Sequence, residues 1–509
     1  MIDIETFAHD IFGSAELGDE RLTRRAVTSL ALLGAARWSS LVEACRGDDA
    51  AQQGLYRWIR NDRIKVEPLI DAACTALGSV AASQCKGDIL AIQDTTCFSF
   101  QHSVVDQLGS LGTGRNRTSR GFFCHLTVGL DADNGAIIGP LDAQFGLRSN
   151  SERPSARDHR ALAYEDKESF KWESAAAIVD QRNAAHRQRL IFVSDRESDV
   201  YEYLQFMRGH DLRFVVRSSW NRRVDHPEKW LRPTLDAEPV LCRCTVQIEQ
   251  RAGRPARRAL MEVRTKEVTL DGRNHGSERM ARLTFNAVRL TEVEPPDPTT
   301  AIDWTLLSTE PIESVDEVLC IVRFYCMRWS IEEYNKCCKS DGVNAESLRM
   351  QAADNLLRAL VLMVFSAIPI VRLRASLMEQ DSRTRWPVLV APKSDKTSED
   401  DRVKQESKCD SVLPDLYWQV LWLSVNKTQP VPTSAPGLKW ALLSLARLGG
   451  FNDSKHTGRP GYPALWKGWD RLLDRVDAYQ MALAVTQNNH PPNNLSTTTT
   501  PTTTGSDEM

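Results

Sequence analysis

Four residues with charged or hydroxyl side chains recur at helical spacing in one segment of the chain. Tyr325, Arg328, Glu332 and Lys339 lie within IVRFYCMRWSIEEYNKCCKSDG, at offsets of three, seven and fourteen residues. At about 100° per residue, they fall within roughly a 60° arc of one predicted helix. Such a stripe predicts a site where a metal-binding carboxylate lies beside side chains that bind a phosphate. The alternative is a solvated helix face with i, i+4 ion pairs.

Two aspartates elsewhere in the chain each end a short apolar run. Asp94 closes the run ILAIQD, and Asp195 closes the run LIFVSD. Such runs suit buried strands, and ligands gather at the carboxyl ends of strands in open α/β sheets. Together with Glu332, the two aspartates would form an all-oxygen site that suits magnesium or manganese and not zinc. For either aspartate alone, the alternative interpretation is a helix N-cap.

Neighbouring acids compete for the same role. Glu333 follows Glu332 but lies about 100° further around the predicted helix, outside the stripe. Glu197 and Asp199 follow Asp195, and we expect them to act at the N-terminus of the helix after that strand. The candidates therefore remain Asp94, Asp195 and Glu332.

Alternating strand and helix patterns over residues 71–375 must position these side chains. The runs GFFCHLTVGL and AIIGPLDAQF flank a turn at residues 131–135 and predict an antiparallel hairpin. Residues of about 238–312 alternate in polarity and predict further strands before the helix that carries Glu332. The predicted fold class is therefore α/β, with a mixed-sheet core that contains a β-strand insertion.

Helical segments flank this core on both sides. Residues 1–70 interleave arginines with aromatic residues, which suits phosphate contact and stacking; a solvated helix face is the alternative. Residues 376–411 are charged and aperiodic and predict a linker. Residues 412–486 return to helical spacing with several tryptophans, and the low-complexity segment 487–509 is predicted to be disordered.

The composition and the apolar segments indicate the kind of protein and the compartment in which it acts. The chain has 509 residues and a net charge of −3, so any surface that binds nucleic acid must be local. Its twelve cysteines include no CxxC pair and are typical of reduced thiols in a cytosolic protein. The start MIDIETF does not have a signal-peptide layout. The apolar run 359–371 is too short to span a bilayer and predicts a buried helix. We therefore expect a cytoplasmic protein without membrane contact.

These motifs together resemble the insertion-sequence-four family of bacterial DDE transposases. The resemblance rests on the order Asp94, Asp195, Glu332 and on the Tyr-x2-Arg-x3-Glu-x6-Lys signature. It extends over nearly the whole chain through stretches that include LGDERLTRR, LYRWIRN, SDRESD, RFVVRS, WTLLSTEP and LARLGGFNDSKHTG. It implies an RNase H-like core over 71–375, a DNA-binding domain over 1–70 and a dimerisation domain over 412–486.

The resemblance also implies a reaction and its cofactor. Asp94, Asp195 and Glu332 would hold two Mg²⁺ or Mn²⁺ ions per active site. The implied reaction is cut-and-paste transposition: nicking at the transposon end, hairpin formation, hairpin opening and insertion into target DNA. The implied partners are double-stranded DNA, as transposon ends and target, and a second copy of the chain in the DNA complex. No small-molecule substrate is expected.

Further residues match positions that contact DNA in the family. Trp304 matches a tryptophan platform for an unstacked base, although a core aromatic on a strand is the alternative. Arg217, Tyr325 and Arg328 match residues that grip the phosphate of the displaced nucleotide, and Lys339 matches a contact to the DNA backbone. In the N-terminal domain we expect the DNA-binding arginines to share one face. They are Arg21, Arg25, Arg57 and Arg60.

Three departures and two alternative functions remain. The N-terminal helix matches the family only in part, so the preferred DNA end sequence is not implied. Phe122 replaces a tryptophan of the family, and residues 382–411 differ in sequence and length. A stand-alone metal-dependent nuclease would use the same three acids without Trp304 or a dimerising segment. A catalytically silent DNA-binding inhibitor is the second alternative, but all three acids and the N-terminal segment are present.

Overall fold

The computed structural model describes most of the chain. The described residues are 4–35, 40–45, 47–112, 119–148, 162–248, 256–272, 274–275, 278–341, 343–377, 387–390, 408–454 and 460–489.

The described part of the N-terminal region contains five helices. They are α1 (Ile4–Phe12), α2 (Glu20–Ala35), α3 (Leu41–Ala44), α4 (Asp49–Ile59) and α5 (Glu67–Gln84). The α4 helix begins at Asp48, whose carboxylate accepts hydrogen bonds from the backbone N–H groups of Ala50 and Ala51, as an N-cap should. The indole of Trp58 on α4 donates to the carbonyl of Leu22 on α2 at 2.9 Å, so these two helices pack together.

A large mixed sheet forms the centre of the chain. Its strands are β1 (Ile89–Phe100), β2 (Gly109–Ser110), β3 (Arg120–Asp131), β4 (Ile137–Gly146), β5 (Leu190–Ser194), β6 (Arg213–Arg217), β7 (Cys242–Ile248), β8 (Arg257–Leu270), β11 (Leu283–Glu292), β12 (Asp303–Ser308) and β13 (Val388–Leu389). The order is β13-β7-β8-β11-β12-β6-β5-β1-β3-β2, with β4 also paired to β3. The short strands β9 (Asn274–His275) and β10 (Glu278–Arg279) form a separate pair.

The three central strands are parallel, and their neighbours are antiparallel. Strand β5 pairs in parallel with β1 and with β6. The predicted hairpin is confirmed, because β3 and β4 pair antiparallel around the turn at 131–135. The strands of the predicted insertion join the same sheet through β12, which pairs with β6. This α/β architecture is compatible with an RNase H-like core.

Helices cover both faces of the central strands. They are α6 (Phe170–Arg182), α7 (Tyr201–Gly209), α8 (Leu231–Asp236), α9 (Val315–Met327), α10 (Trp329–Lys336), α11 (Ala353–Ser366) and α12 (Ile368–Leu377). Alternate residues of a strand face opposite sides of the sheet. Accordingly, Ile92 packs in a core with residues of α9 to α12, whereas Ala91 packs in a second core with residues of α6 and α7.

The segment with the four-residue stripe is helical, but it is not one regular helix. Helix α9 ends at Met327, Arg328 forms a turn, and α10 runs from Trp329 to Lys336 before a π-helical turn over Cys337–Asp341. The expectation of a single helix was therefore wrong, since the i−3 hydrogen bonds around Arg328 and the wider π turn both shift the helical phase. Such turns are frequent at functional sites.

The most apolar segment is a core element. Among the described residues, one helical segment, Ala353–Leu377, is long and apolar enough to cross a membrane, but 78% of its most apolar part is buried inside the protein. The predicted buried helix over 359–371 is thus buried, although it is interrupted at Ala367, ahead of Pro369, which lacks a backbone donor.

Within the described residues of the C-terminal region there are three helices, namely α13 (Asp415–Val425), α14 (Leu438–Leu448) and α15 (Tyr462–Asn489). They share a third core that includes Trp418 and Trp469. Helix α15 continues to Asn489, three residues beyond the predicted end of the C-terminal domain at residue 486. Within the predicted linker, Val388–Leu389 forms β13 at the sheet edge, while most of 376–411 and all of 490–509 lie outside the described residues.

Candidate active site

The parallel strands align three predicted site residues. The last paired residues are Ile92 with Val193 between β1 and β5, and Ser194 with Val216 between β5 and β6. The same register, carried one or two residues further, sets Asp94 beside Asp195 and Asp195 beside Arg217. The three residues therefore form one row across the carboxyl ends of the paired segments, where ligands gather in α/β sheets.

Asp94 lies in this row, but its local structure differs from the one predicted from the sequence. The prediction that Asp94 ends its strand was wrong, because β1 continues to Phe100. The run TTCFSF after Asp94 is rich in β-branched and aromatic residues, and it pairs with β3 over its full length. What ends after Ile92 is the pairing of β1 with β5. Asp94 is thus at the edge of the parallel pairing, although it lies within a strand.

The row faces the helices that carry the rest of the signature. Val193 and Val215 belong to the same core as Ile321 and Phe324 of α9. Asp195 and Arg217 each follow one of these valines by two residues, so the strand alternation directs them to the α9–α10 side of the sheet.

Trp304 joins the same face from the next strand. It lies two residues before Leu306, which pairs with Arg217 in the antiparallel register of β12 and β6. The half-buried Trp304 ring meets the buried Tyr325 ring edge to face, with centroids 5.0 Å apart. Arg217 donates a hydrogen bond of 3.1 Å to the carbonyl of Asp303, beside Trp304. The contact with Tyr325 therefore brings Trp304 to the signature segment.

Arg328 links the aromatic pair to the acids. Its guanidinium lies 5.9 Å from the centroid of the Tyr325 ring and donates a hydrogen bond of 2.6 Å to the Glu332 carboxylate. Arg328 is buried and Glu332 is partly exposed. Arg328 also lies close enough to Asp94 for the two charges to interact. In this arrangement the arginine acts as the internal counter-ion of the acids.

The acids affect one another across the sheet and helix. The pKa of Asp94 is raised to about 7, chiefly by burial, and the negative charges of Asp195 and Glu332 contribute to this rise. The positive charge of Arg328 and a hydrogen bond from the Thr95 backbone act in the opposite direction. The ionised form of such a carboxyl group, close to two other acids, is stabilised by a nearby cation.

The three acids have the right donor atoms for a divalent cation, but their side chains must move closer together to bind one. The donor set consists of oxygen atoms only, as Mg²⁺ prefers. Within the described ranges, however, no group of three His, Cys, Asp or Glu side chains is close enough to hold an ion as arranged. Glu332 is bonded to Arg328, and Asp195 accepts a hydrogen bond from the backbone of Glu197 as the N-cap of a short turn. The N-cap interpretation thus also applies to Asp195.

Lys339 lies on the opposite side of the acids from Arg217. It belongs to the π-helical turn and is half-buried. Its charge acts on the Cys124 thiol of β3, where it partly offsets the large rise in pKa caused by burial. Strand β3 flanks β1 on the side away from β5. Basic side chains therefore flank the acidic row from both directions.

The four N-terminal arginines lie on two packed helices. Arg21 and Arg25 are one turn apart on α2, whereas Arg57 lies in the last turn of α4 and Arg60 is the C-cap that follows it. A side chain added at Gly54 would meet the Arg25 guanidinium, so Arg25 lies against α4, one turn before Arg57. Arg60 lies over the Tyr56 ring at 5.4 Å. This placement is compatible with one shared face.

Sequence reasoning assigned Asp199 to the wrong element. Its buried carboxylate does not act at a helix N-terminus but binds the loop that follows β6. There it accepts hydrogen bonds from the backbone N–H groups of Ser219 and Trp220, and from Arg222. The acid-rich SDRESD run contained this residue, but only the parallel pairing of β5 and β6 brings the two loops together.

One comparison with known proteins bears on this arrangement. Residues 4–64, which contain α1 to α4, match a family model described as "Transposase DNA-binding". The match covers the helices that carry Arg21, Arg25, Arg57 and Arg60. It supports a transposase, and hence a DNA-processing enzyme with DNA as its partner.

Proposed function

We propose that this chain is a DDE transposase of the insertion-sequence-four type, which cuts transposon ends and joins them to target DNA. The main support is the row of Asp94, Asp195 and Arg217 beneath the segment that carries Arg328 and Glu332. The match of residues 4–64 to a transposase DNA-binding model supports it independently. A phosphodiester placed at this edge would meet carboxylates and cations together.

In this proposal Asp94, Asp195 and Glu332 would hold two Mg²⁺ or Mn²⁺ ions. When bound, the ions would supply Lewis-acid polarisation of the scissile phosphate and a more acidic nucleophile. The role of Arg328 would then change, because a metal ion on Glu332 would compete with the 2.6 Å hydrogen bond that Arg328 donates to this carboxylate. The freed guanidinium would turn to a DNA phosphate, for which its forked donors are suited.

The remaining side chains would orient the DNA. Arg217 and Lys339 flank the acids and would contact backbone phosphates on either side of the cleaved bond. Trp304 would receive the base that is unstacked when a strand bends into a hairpin. Its edge-to-face contact with Tyr325 would hold the indole in place for stacking.

The flanking regions would select and pair the DNA ends. The N-terminal helices would bind a transposon end through Arg21, Arg25, Arg57 and Arg60. Because the whole chain carries a net charge of −3, such a basic face would be a local feature. The C-terminal helices would bring two copies of the chain together, so that two ends are cut in one complex.

The decisive experiment combines purified protein, Mg²⁺ and DNA that carries the ends of its own element. We expect nicked, hairpin and excised products, and none with EDTA. Replacing Asp94, Asp195 or Glu332 by Ala should lower cleavage by at least about 10³-fold but leave DNA affinity nearly unchanged, because phosphate contacts dominate affinity. Glu197→Gln, at an exposed acid beside Asp195, is the matched control. Metal-dependent degradation without preference for the ends would replace the transposase proposal with a nuclease.

A further inference from the structure

The loop after β6 presents an exposed tryptophan beside the candidate active site. Trp220 is 64% exposed and follows Arg217 by three residues. Three residues of chain span at most about 11 Å, so Trp220 stays close to the row of Asp195 and Arg217. Its exposed indole is therefore accessible to a ligand at this edge.

The backbone of this loop is fixed by a buried carboxylate. Asp199 is 3% exposed and accepts hydrogen bonds from the backbone N–H groups of Ser219 at 2.8 Å and Trp220 at 3.0 Å. The Ser218 hydroxyl lies 3.0 Å from the same carboxylate oxygen and 3.0 Å from the carbonyl of Trp220. Arg222 pairs with the other carboxylate oxygen and donates to the Asp199 carbonyl at 2.8 Å.

Burying the Asp199 carboxylate costs free energy, and the hydrogen bonds that offset this cost hold the loop in one conformation. A buried charge loses its hydration and is tolerated only when several donors satisfy it. Here all those donors come from residues 218–222, and the strand pairing already holds Arg217. The carboxylate therefore fixes the backbone of Trp220 while the indole ring remains in solvent.

The charge around the loop suits a nucleic acid. Residues 217–232 contain five basic side chains and two acidic ones, in a chain whose overall charge is −3. A second exposed tryptophan in this segment, Trp230, differs from Trp220 because the Arg223 guanidinium lies 5.8 Å from its ring centroid. An exposed indole on a fixed backbone, within a basic segment, suits stacking on a nucleobase.

We infer that Trp220 stacks on an unpaired base of DNA that crosses the carboxyl edge of the sheet, and that Asp199 is the positioning residue that holds it there. This inference rests on the proposed function only in its choice of DNA as the ligand. It adds a second aromatic contact, about one strand away from Trp304, and gives a role to an acid outside the candidate triad.

Binding without cleavage tests the stacking step. Fluorescence anisotropy in EDTA would compare a blunt duplex with the same duplex carrying a short single-stranded extension. We expect the natural protein to prefer the extended duplex, and Trp220→Ala to reduce that preference about tenfold. Trp220→Phe should keep most of it, and Trp230→Ala is the matched control. An unchanged preference in Trp220→Ala, or no preference in the natural protein, would overturn the inference.

A double-mutant cycle tests the positioning step. Asp199→Asn should reduce the preference for the extension as Trp220→Ala does, and it should add little in the Trp220→Ala background. Ser218→Ala removes one hydrogen bond to the carboxylate and should reduce the preference for the extended duplex by a smaller amount. This variant tests the positioning role if Asp199→Asn does not fold. Equal losses on both duplexes would show a merely structural role. These binding assays need no cleavage, so they are independent of the proposed function. If the protein never cuts transposon ends but Trp220→Ala still loses the preference for the extended duplex, the proposed function is refuted and this inference stands.

Discussion

Arg328 donates a hydrogen bond of 2.6 Å to Glu332, one helical turn further along the chain. In the metal-binding proposal, a metal ion would compete with Arg328 for the Glu332 carboxylate. The same arginine also lowers the pKa of Asp94 against the effect of burial. One side chain therefore compensates two of the three acids in this arrangement.

Arg328→Ala should make the stability of the protein depend more strongly on Mg²⁺. Without metal, the variant should lose about 1–3 kcal/mol, because a hydrogen bond to a charged group is removed and the acids lack their counter-ion. Added Mg²⁺ should then raise its Tm more than that of the natural protein. Arg328→Lys, which keeps a cation, should lie in between. Thermal unfolding with and without MgCl₂ measures this, and an identical Mg²⁺ response in all three proteins would contradict it.

The ionisation of Asp94 should oppose folding as the pH rises. Its pKa is raised to about 7 in the folded protein, from an ordinary value near 3.8. The penalty is absent below about pH 4, grows between pH 4 and 7, and is complete above pH 7. In EDTA, Asp94→Asn should therefore have a higher Tm than the natural protein at pH 8, by about 2 °C or more, and the difference should shrink toward pH 5. A difference that does not vary with pH would contradict this, and Glu197→Gln serves as the control.

The candidate site shows which features the sequence could predict. The hairpin was predictable because the turn at 131–135 has strong local turn chemistry between two apolar runs. The identity of the acids was predictable from short motifs, but their alignment depends on the register between Ile92 and Val193, which are about one hundred residues apart. The loop bound by Asp199 was not predictable for the same reason, since contacts between segments about twenty residues apart decide it.

Trp304→Ala should impair hairpin formation more than first-strand nicking. Nicking requires only the acids, whereas bending the strand also requires a surface for the unstacked base, worth about 1–3 kcal/mol. Nicked DNA should therefore accumulate in time courses on denaturing gels, with a hairpin rate reduced about 5- to 100-fold. Trp304→Phe should restore most of the rate, because Phe can keep the edge-to-face contact with Tyr325. Equal loss of both steps would instead favour a core-packing role.

The N-terminal arginines should account for the salt dependence of end binding. Each Ala substitution at Arg21, Arg25, Arg57 or Arg60 should lower the slope of log K against log salt by about one, because one DNA phosphate is no longer neutralised. Arg243→Ala is the control, because this exposed arginine lies on β7 and pairs with Glu262. Filter binding or anisotropy over a salt series measures the slopes, and four variants with the natural slope would refute the assignment.

The exposed end of α15 should be required for pairing two DNA ends, while the rest of the C-terminal region is required for folding. Tyr462 and Trp466 belong to the main core, so removing 412–509 should destabilise the whole protein. From Asp477 to Thr486 the helix is exposed, with apolar side chains such as Met481 in solvent. A chain that ends at residue 476 should therefore keep its Tm and bind one DNA end, but fail to form paired-end complexes on native gels. A chain that ends at residue 489 is the matched control. If the shorter protein excised DNA as well as the full chain, pairing through this helix would be refuted, and a stand-alone nuclease would become the better description.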